Sequence, residues 1–228
     1  MPRRVLTLLV LLAMVSALPG CNLIGAAAII MPKPPVPAQH ELPDKKTLII
    51  VEDRASMVRD TSVVRQVTAS IRGALEEEEV VTTGFVPQTE LTALQTELGE
   101  DYGRTSLGEI ARRLGAEQLI YAKVIGYQLE MGGGVFRPMM AFEVKVIDME
   151  LGARSFPRTV DPETGIVEGQ SFVTVVTEMQ ARNRTAEGNA ARAIAARELA
   201  DQAGIEIARL FHSWKRPEPG DLLHDNQP

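Results

Sequence analysis

From Lys45 to Val51 the chain reads KKTLIIV, two cations and then an unbroken apolar run rich in β-branched residues. A short run without alternation predicts a strand buried on both faces, in the centre of a sheet. Behind it, Val64, Val67, Ile71 and Leu75 recur at three- and four-residue spacing. That pattern predicts an amphipathic helix, and Asp60, Thr61 or Ser62 can cap its start. Val80–Val86, VVTTGFV, reads as a second strand. Leu91, Leu94 and Leu98 then share one helical stripe. Ser106 and Glu109 stand at capping-box spacing, Leu107, Ile110 and Leu114 face inward behind them, and Gly115 supplies a left-handed stop.

The second half changes period. Gln118–Tyr127 predicts a strand, and Gly132-Gly133-Gly134 a turn. Met140, Phe142, Val144 and Val146 alternate with Glu143 and Lys145, as in a half-buried antiparallel strand. A turn at LGAR leads to a short strand at Ser155-Phe156, and Ser171–Val176 reads as one more. From Thr185 the chain is Ala-rich and helical. Ile194, Leu199, Ile205, Ala208 and Phe211 make its expected buried stripe, with a kink at Gly204, and Leu210, Phe211 and Trp214 are expected to pack on the sheet. A parallel β-α-β unit followed by an antiparallel meander gives the fold class α/β (α+β). The expectation is a mixed parallel/antiparallel sheet with helices packed on it and a long C-terminal helix.

The first residues follow another grammar. Arg3 and Arg4 precede an apolar run, Val5–Leu18, too short to span a bilayer, and Pro19-Gly20 break it. This is the anatomy of a secretory leader. Cys21, the sole cysteine of 228 residues, stands directly behind. Leu18-Pro19-Gly20-Cys21 resembles a bacterial lipobox, in which the cysteine is lipidated and the leader is cut before it. Pro19 departs from the usual small or β-branched residue. A plain signal peptide with an incidental thiol and an uncleaved anchor running on through Asn22–Met31 are the alternatives. By resemblance to enteric sorting, Asn22 behind the cysteine implies the outer membrane.

Met31–Pro43 holds five prolines, which forbid helix and sheet. As polyproline II, at about 3.1 Å per residue, Pro32–Pro43 reaches roughly 37 Å. The expected organisation is therefore a signal peptide at 1–20, a lipidated N-terminus and Pro-rich linker at 21–43, a single α/β domain at 44–216 and a disordered tail at 217–228.

Charge and composition narrow the chemistry. The net charge is −6, and loss of Arg3 and Arg4 with the leader makes it more negative. Such a chain has no long-range attraction for nucleic acid or for an anionic membrane surface. Membrane attachment is expected through the lipid. One cysteine excludes an intramolecular disulfide framework, so the core must hold the domain. His40 falls in the linker, His224 in the tail, and His212 on the last helix beside Trp214. His212 is the one candidate for acid–base work in the domain and reads better as a helix-end residue. Glu52-Asp53 closes the first strand, where α/β sheets often bind ligands, and reads better as a polar loop. No catalytic residue, no metal site and no cofactor are expected.

The lipobox, the Pro-rich spacer and KKTLIIVEDRA together resemble bacterial envelope lipoproteins of the curli-secretion-component and penicillin-binding-protein-activator type. These carry a domain similar to the N-terminal domain of TolB. IARRLGAEQLIYAKVIGY, VKVIDMELGARSFP and IARLFHSWK resemble its helix–strand, strand–turn–strand and closing-helix elements, over residues 45 to 216. The resemblance implies a non-enzymatic, lipid-anchored periplasmic module that acts by contact with envelope protein partners and admits homo-oligomers. The alternatives are a subunit of an oligomeric outer-membrane export complex and an envelope enzyme.

Overall fold

The computed structural model describes residues 34–131, 135–160, 167–168, 171–176 and 189–216. Two compact units divide the chain, and Pro37–Trp214 is the larger of them. In it β1 (Thr47–Glu52) is followed by α1 (Thr61–Glu77), α2 (Gln88–Leu98), a 3-10 helix (Gly99–Arg104) and α3 (Leu107–Arg113). Then come β2 (Gln118–Met131), β3 (Val135–Asp148), β4 (Ala153–Phe156), β5 (Thr159–Val160), β6 (Val167–Glu168), β7 (Ser171–Val176) and α4 (Asn189–Ala208). The main sheet runs β1-β2-β3-β4, with β7 also on β3, and β5 pairs with β6 apart from it. β1 and β2 are parallel, while β2, β4 and β7 all pair antiparallel with β3. The fold is thus α/β with a mixed sheet and a long C-terminal helix, as the periodicity predicts.

Local chemistry explains most boundaries. Asp60 caps α1 by accepting from the Ser62 amide at 2.8 Å. Ser106 caps α3 by accepting from the Glu109 amide at 3.2 Å. Glu109 does not return the bond as a capping box would. Its carboxylate pairs instead with Arg112 and Arg113 one turn on, so only half of the box forms. Gly115 ends the helix at φ 63°, a conformation glycine adopts without strain.

Val80–Val86 does not form the expected strand. The Asp44 carboxylate accepts from the Thr82 and Thr83 amides, both at 2.8 Å, and takes them out of any ladder. Gly84 turns at φ 107°, and Pro87 starts α2. One parallel bridge, Thr47 to Phe85, is what remains. The crossover from β1 to its parallel neighbour β2 therefore runs through all three intervening α-helices. β1 is buried on both faces as expected, but it lies at the edge of the sheet rather than in its centre.

One face of the sheet carries Ile49, Ile120, Ala122, Met140, Phe142, Val144, Val146, Val173 and Val175, packed beneath α1 and α4. The stripe of α4 matches the expected one only in part. Leu199, Ala208 and Phe211 are buried as expected, but Ile194 and Ile205 stand 47% and 37% exposed, and Ala195, Ala200, Ala203 and Ile207 are buried in their place. Gly204 explains the shift. A Cβ there would lie 2.4 Å from the Ser70 Cβ and 2.8 Å from the Ile71 nitrogen. The helix runs unbroken through Gly204. Gly204 and its alanine neighbours let α4 approach the α1 backbone closely, with Asp201 accepting from Gln66 at 2.5 Å and Ser70 at 2.7 Å. Leu210 and Phe211 are buried as expected, whereas Trp214 is half-buried, with the Arg209 guanidinium 4.2 Å above its ring.

The linker boundary moves as well. Pro37–Pro43 belongs to the compact unit. The Gln39 and His40 amides both donate to the Leu210 carbonyl, at 2.8 and 3.0 Å, and Gln118 Nε2 donates to the Pro43 carbonyl at 2.9 Å. Prolines cannot donate, but the non-proline residues between them can, and that suffices to dock the segment.

Candidate functional site

Cys21, the leader, the tail with His224 and the Gly132–Gly134 turn lie outside the described residues. The other flagged groups have structural partners. His212 Nδ1 lies 3.1 Å from the Ser213 carbonyl oxygen and 3.8 Å from the Glu78 carboxylate, with no hydroxyl or thiol nucleophile among these partners. Glu52 accepts from the Tyr121 hydroxyl at 2.7 Å and from Arg54 at 2.8 Å. Burial and the negative Glu52 push the Tyr121 phenol well up, so that it stays a proton donor. Asp53 accepts from the Val58 amide at 2.6 Å and shapes the loop into α1. Glu52 and Asp53, adjacent in sequence, thus serve different elements. Among the described residues no three His, Cys, Asp or Glu side chains gather as a metal site would require, and no helix is long and apolar enough to cross a membrane.

The second face of the sheet is more informative. On its β1–β2 half, Leu48, Ile50, Leu119 and Tyr121 lie beneath Leu91 and Leu94 of α2 and Ile110 and Ala111 of α3. Register carries the same face onward to Lys123, Ala141, Glu143, Phe172, Thr174 and Val176. Glu143 stands opposite both Lys123 on β2 and Phe172 on β7, and Met139 opposite Val176. Among the described residues the helical cover ends there. Phe172 is 56% exposed, Val176 40%, and Ile125, at a β-bulge in β2, 41%.

Lys145 reaches back to Glu143 at 2.8 Å, so a charged ladder borders the apolar residues. A sheet face with large apolar groups and a polar margin has the make-up of a protein-contact surface, an apolar centre inside a charged rim.

Sequence reasoning assigned SFVTVV to a strand but not its outward face to a site. The signal was there. Phe172 and Val176 lie on one side of β7, and Val173 and Val175 on the other. A strand apolar on both faces at the margin of a sheet needs cover on both.

No protein-family model and no curated protein sequence matches the chain. Solved structures similar to it include bacterial lipoproteins. GNA1162 from Neisseria meningitidis matches at 10% identity over 61% of this chain and 90% of its own, with a TM-score of 0.39. The LpoB C-terminal domain from Salmonella enterica matches at 15% identity over 60% and 87%, with a TM-score of 0.34. PelC from Paraburkholderia phytofirmans, crystallised as a dodecamer, matches at 11% identity over 78% and 94%, with a TM-score of 0.36.

Proposed function

We propose that this chain is a lipid-anchored periplasmic module that acts by protein contact in the bacterial envelope, without catalysis of its own. The open half of the sheet, centred on Phe172, Val176 and Ile125, is its contact surface. The observation that carries this reading is the contrast within one strand, where Val173 and Val175 are buried while Phe172 and Val176 stand free. The leader and Cys21 support export and anchoring through acyl chains, and Asn22 behind the cysteine supports the outer membrane as the site. The acidic composition supports a protein partner rather than nucleic acid.

The test is site-specific photocrosslinking in intact cells. A crosslinker at Phe172 should give a discrete product, and one at Thr92 on exposed α2 should not. A product at the mass of two chains identifies the partner as a second copy and favours the oligomeric reading. Equal labelling from both positions rejects the open face as the contact surface. Anchoring is tested separately, because Cys21→Ser should abolish incorporation of labelled fatty acid. Wild type and variant that fractionate alike, with lipid on neither, reject the lipid anchor.

A further inference from the structure

His40 sits where a Pro-rich segment joins the folded body, and its surroundings are unusual for a residue of such a segment. Its ring stacks on Phe156, with centroids 5.3 Å apart and planes at 28°, and meets Phe211 edge-on at 6.4 Å. Phe156 and Phe211 are themselves 5.8 Å apart, so the imidazole is the third ring of an aromatic cluster. Its Nε2 is enclosed and has no hydrogen-bond partner. The backbone beside it is tied to the Leu210 carbonyl, which accepts from both Gln39 and His40, and upstream Val36 stands in a β-bridge. From Leu42 onward the chain is held by other means. Leu42 packs on the main core, the Pro43 carbonyl accepts from Gln118, and Asp44 accepts from Thr82 and Thr83.

We propose that His40 is a proton-operated latch: while its imidazole is neutral the ring holds Pro37–Glu41 against the body, and proton uptake frees that segment, with the hinge at Leu42-Pro43.

The physical reason lies in what Nε2 can do in each state. A neutral imidazole has one donor and one acceptor nitrogen, and with Nε2 as the enclosed acceptor it forgoes a single bond to water. In the imidazolium both nitrogens carry a proton and a shared charge, and the enclosed N–H then has neither water nor an acceptor. The charged groups on every neighbouring element offer little help. Glu41 on the segment itself favours the proton, β4 carries Arg154, and the turn behind α4 carries Arg209 and His212, the last with the Glu78 carboxylate of the α1 end 3.8 Å away. Burial outweighs Glu41 and lowers His40 below its ordinary 6.5.

The sign follows from linkage. The docked segment binds the proton less readily than the free one, so docking is at full strength above pH 6.5 and weakens as pH falls below it. Within that window the docking constant drops by up to about tenfold per pH unit.

The experiment is hydrogen exchange on the full chain at pH 7.5, 6.5 and 5.5, corrected for the intrinsic rate. The Gln39 and His40 amides should lose protection on acidification, while the β2–β3 ladder keeps its own. His40→Phe keeps a ring in the cluster and removes the titration, so its segment should stay protected at all three values. His40→Ala should expose the segment at all three. In parallel, the His40 ring is titrated by NMR in the wild type. Its midpoint should lie below 6.5 and coincide with the loss of Gln39 protection. Protection that is constant with pH, the same loss in His40→Phe, divergent midpoints, or simultaneous opening of the β2–β3 ladder each overturn the proposal.

Discussion

The two faces of the sheet solve one problem to different degrees. Beneath α1 and α4 the face is closed, with Met140, Phe142, Val144 and Val146 wholly buried. The closure depends on small residues, because Gly204 and the alanines of α4 bring that helix against the α1 backbone. On the other side α2 and α3 are short and cover only the β1–β2 half. The cover stops before β7, whose two sides carry apolar residues of similar kind. A side chain is buried by what stands over it, so equal propensity leaves Val175 inside and Val176 outside.

If one face is structural and the other made for contact, substitutions should sort accordingly. The largest effect belongs to the closed face. Phe211→Ala should destabilise the protein by about 3–5 kcal/mol, the usual cost of truncating a buried aromatic, measured by denaturant titration. A loss below about 1 kcal/mol, the ordinary range for a surface change, would mean that the end of the closing helix is free. Next is Gly204→Ala, where the added Cβ meets backbone atoms at 2.8 and 2.9 Å that cannot swing away. It should cost about 1–3 kcal/mol, by forcing α4 off α1. A neutral result would show that the helices slide freely and that their contact does not set the seal.

On the open face, Phe172→Ser should change stability by no more than about 0.5 kcal/mol while removing the crosslinked product. A loss as large as that of Phe211→Ala would make Phe172 part of the fold and end the comparison. The smallest effect is expected at Asp44, on the edge that both faces share. Hydrogen bonds from Thr82 and Thr83 hold its carboxyl at about 2, below the ordinary 3.8. Its folded pKa is depressed, so its contribution is whole above pH 3.8 and fades as pH falls toward 2. Asp44→Asn should flatten the fall in stability across that window. An unchanged slope would remove Asp44 as the reason why Val80–Val86 is not a strand.

Much of this architecture was legible in the order of residues. The β1 run, the α1 stripe with its Asp60 cap, the Ser106 cap and the alternation of β3 all depend on local chemistry: a period of two or 3.6, or a side chain that reaches an amide nearby. Each of these survives in the folded chain. The candidate contact surface was half legible. The strand at Ser171–Val176 could be read, but its exposed side could not, since exposure depends on where α2 and α3 end.

What escaped the sequence was decided by partners far along the chain. Thr82 and Thr83 lost their ladder to Asp44, and β1 became an edge because, on the side away from β2, one bridge at Phe85 is all that pairs with it among the described residues. The stripe of α4 turned away from Ile194 and Ile205 because Gly204, a helix breaker by propensity, was worth more as a contact point on α1. The Pro-rich entry docked because His40 found Phe156 and Phe211, more than a hundred residues on. Periodicity records which residues can be buried together on one element. Which of them are buried, and which are left for a partner, is settled only when distant elements compete for the same surface.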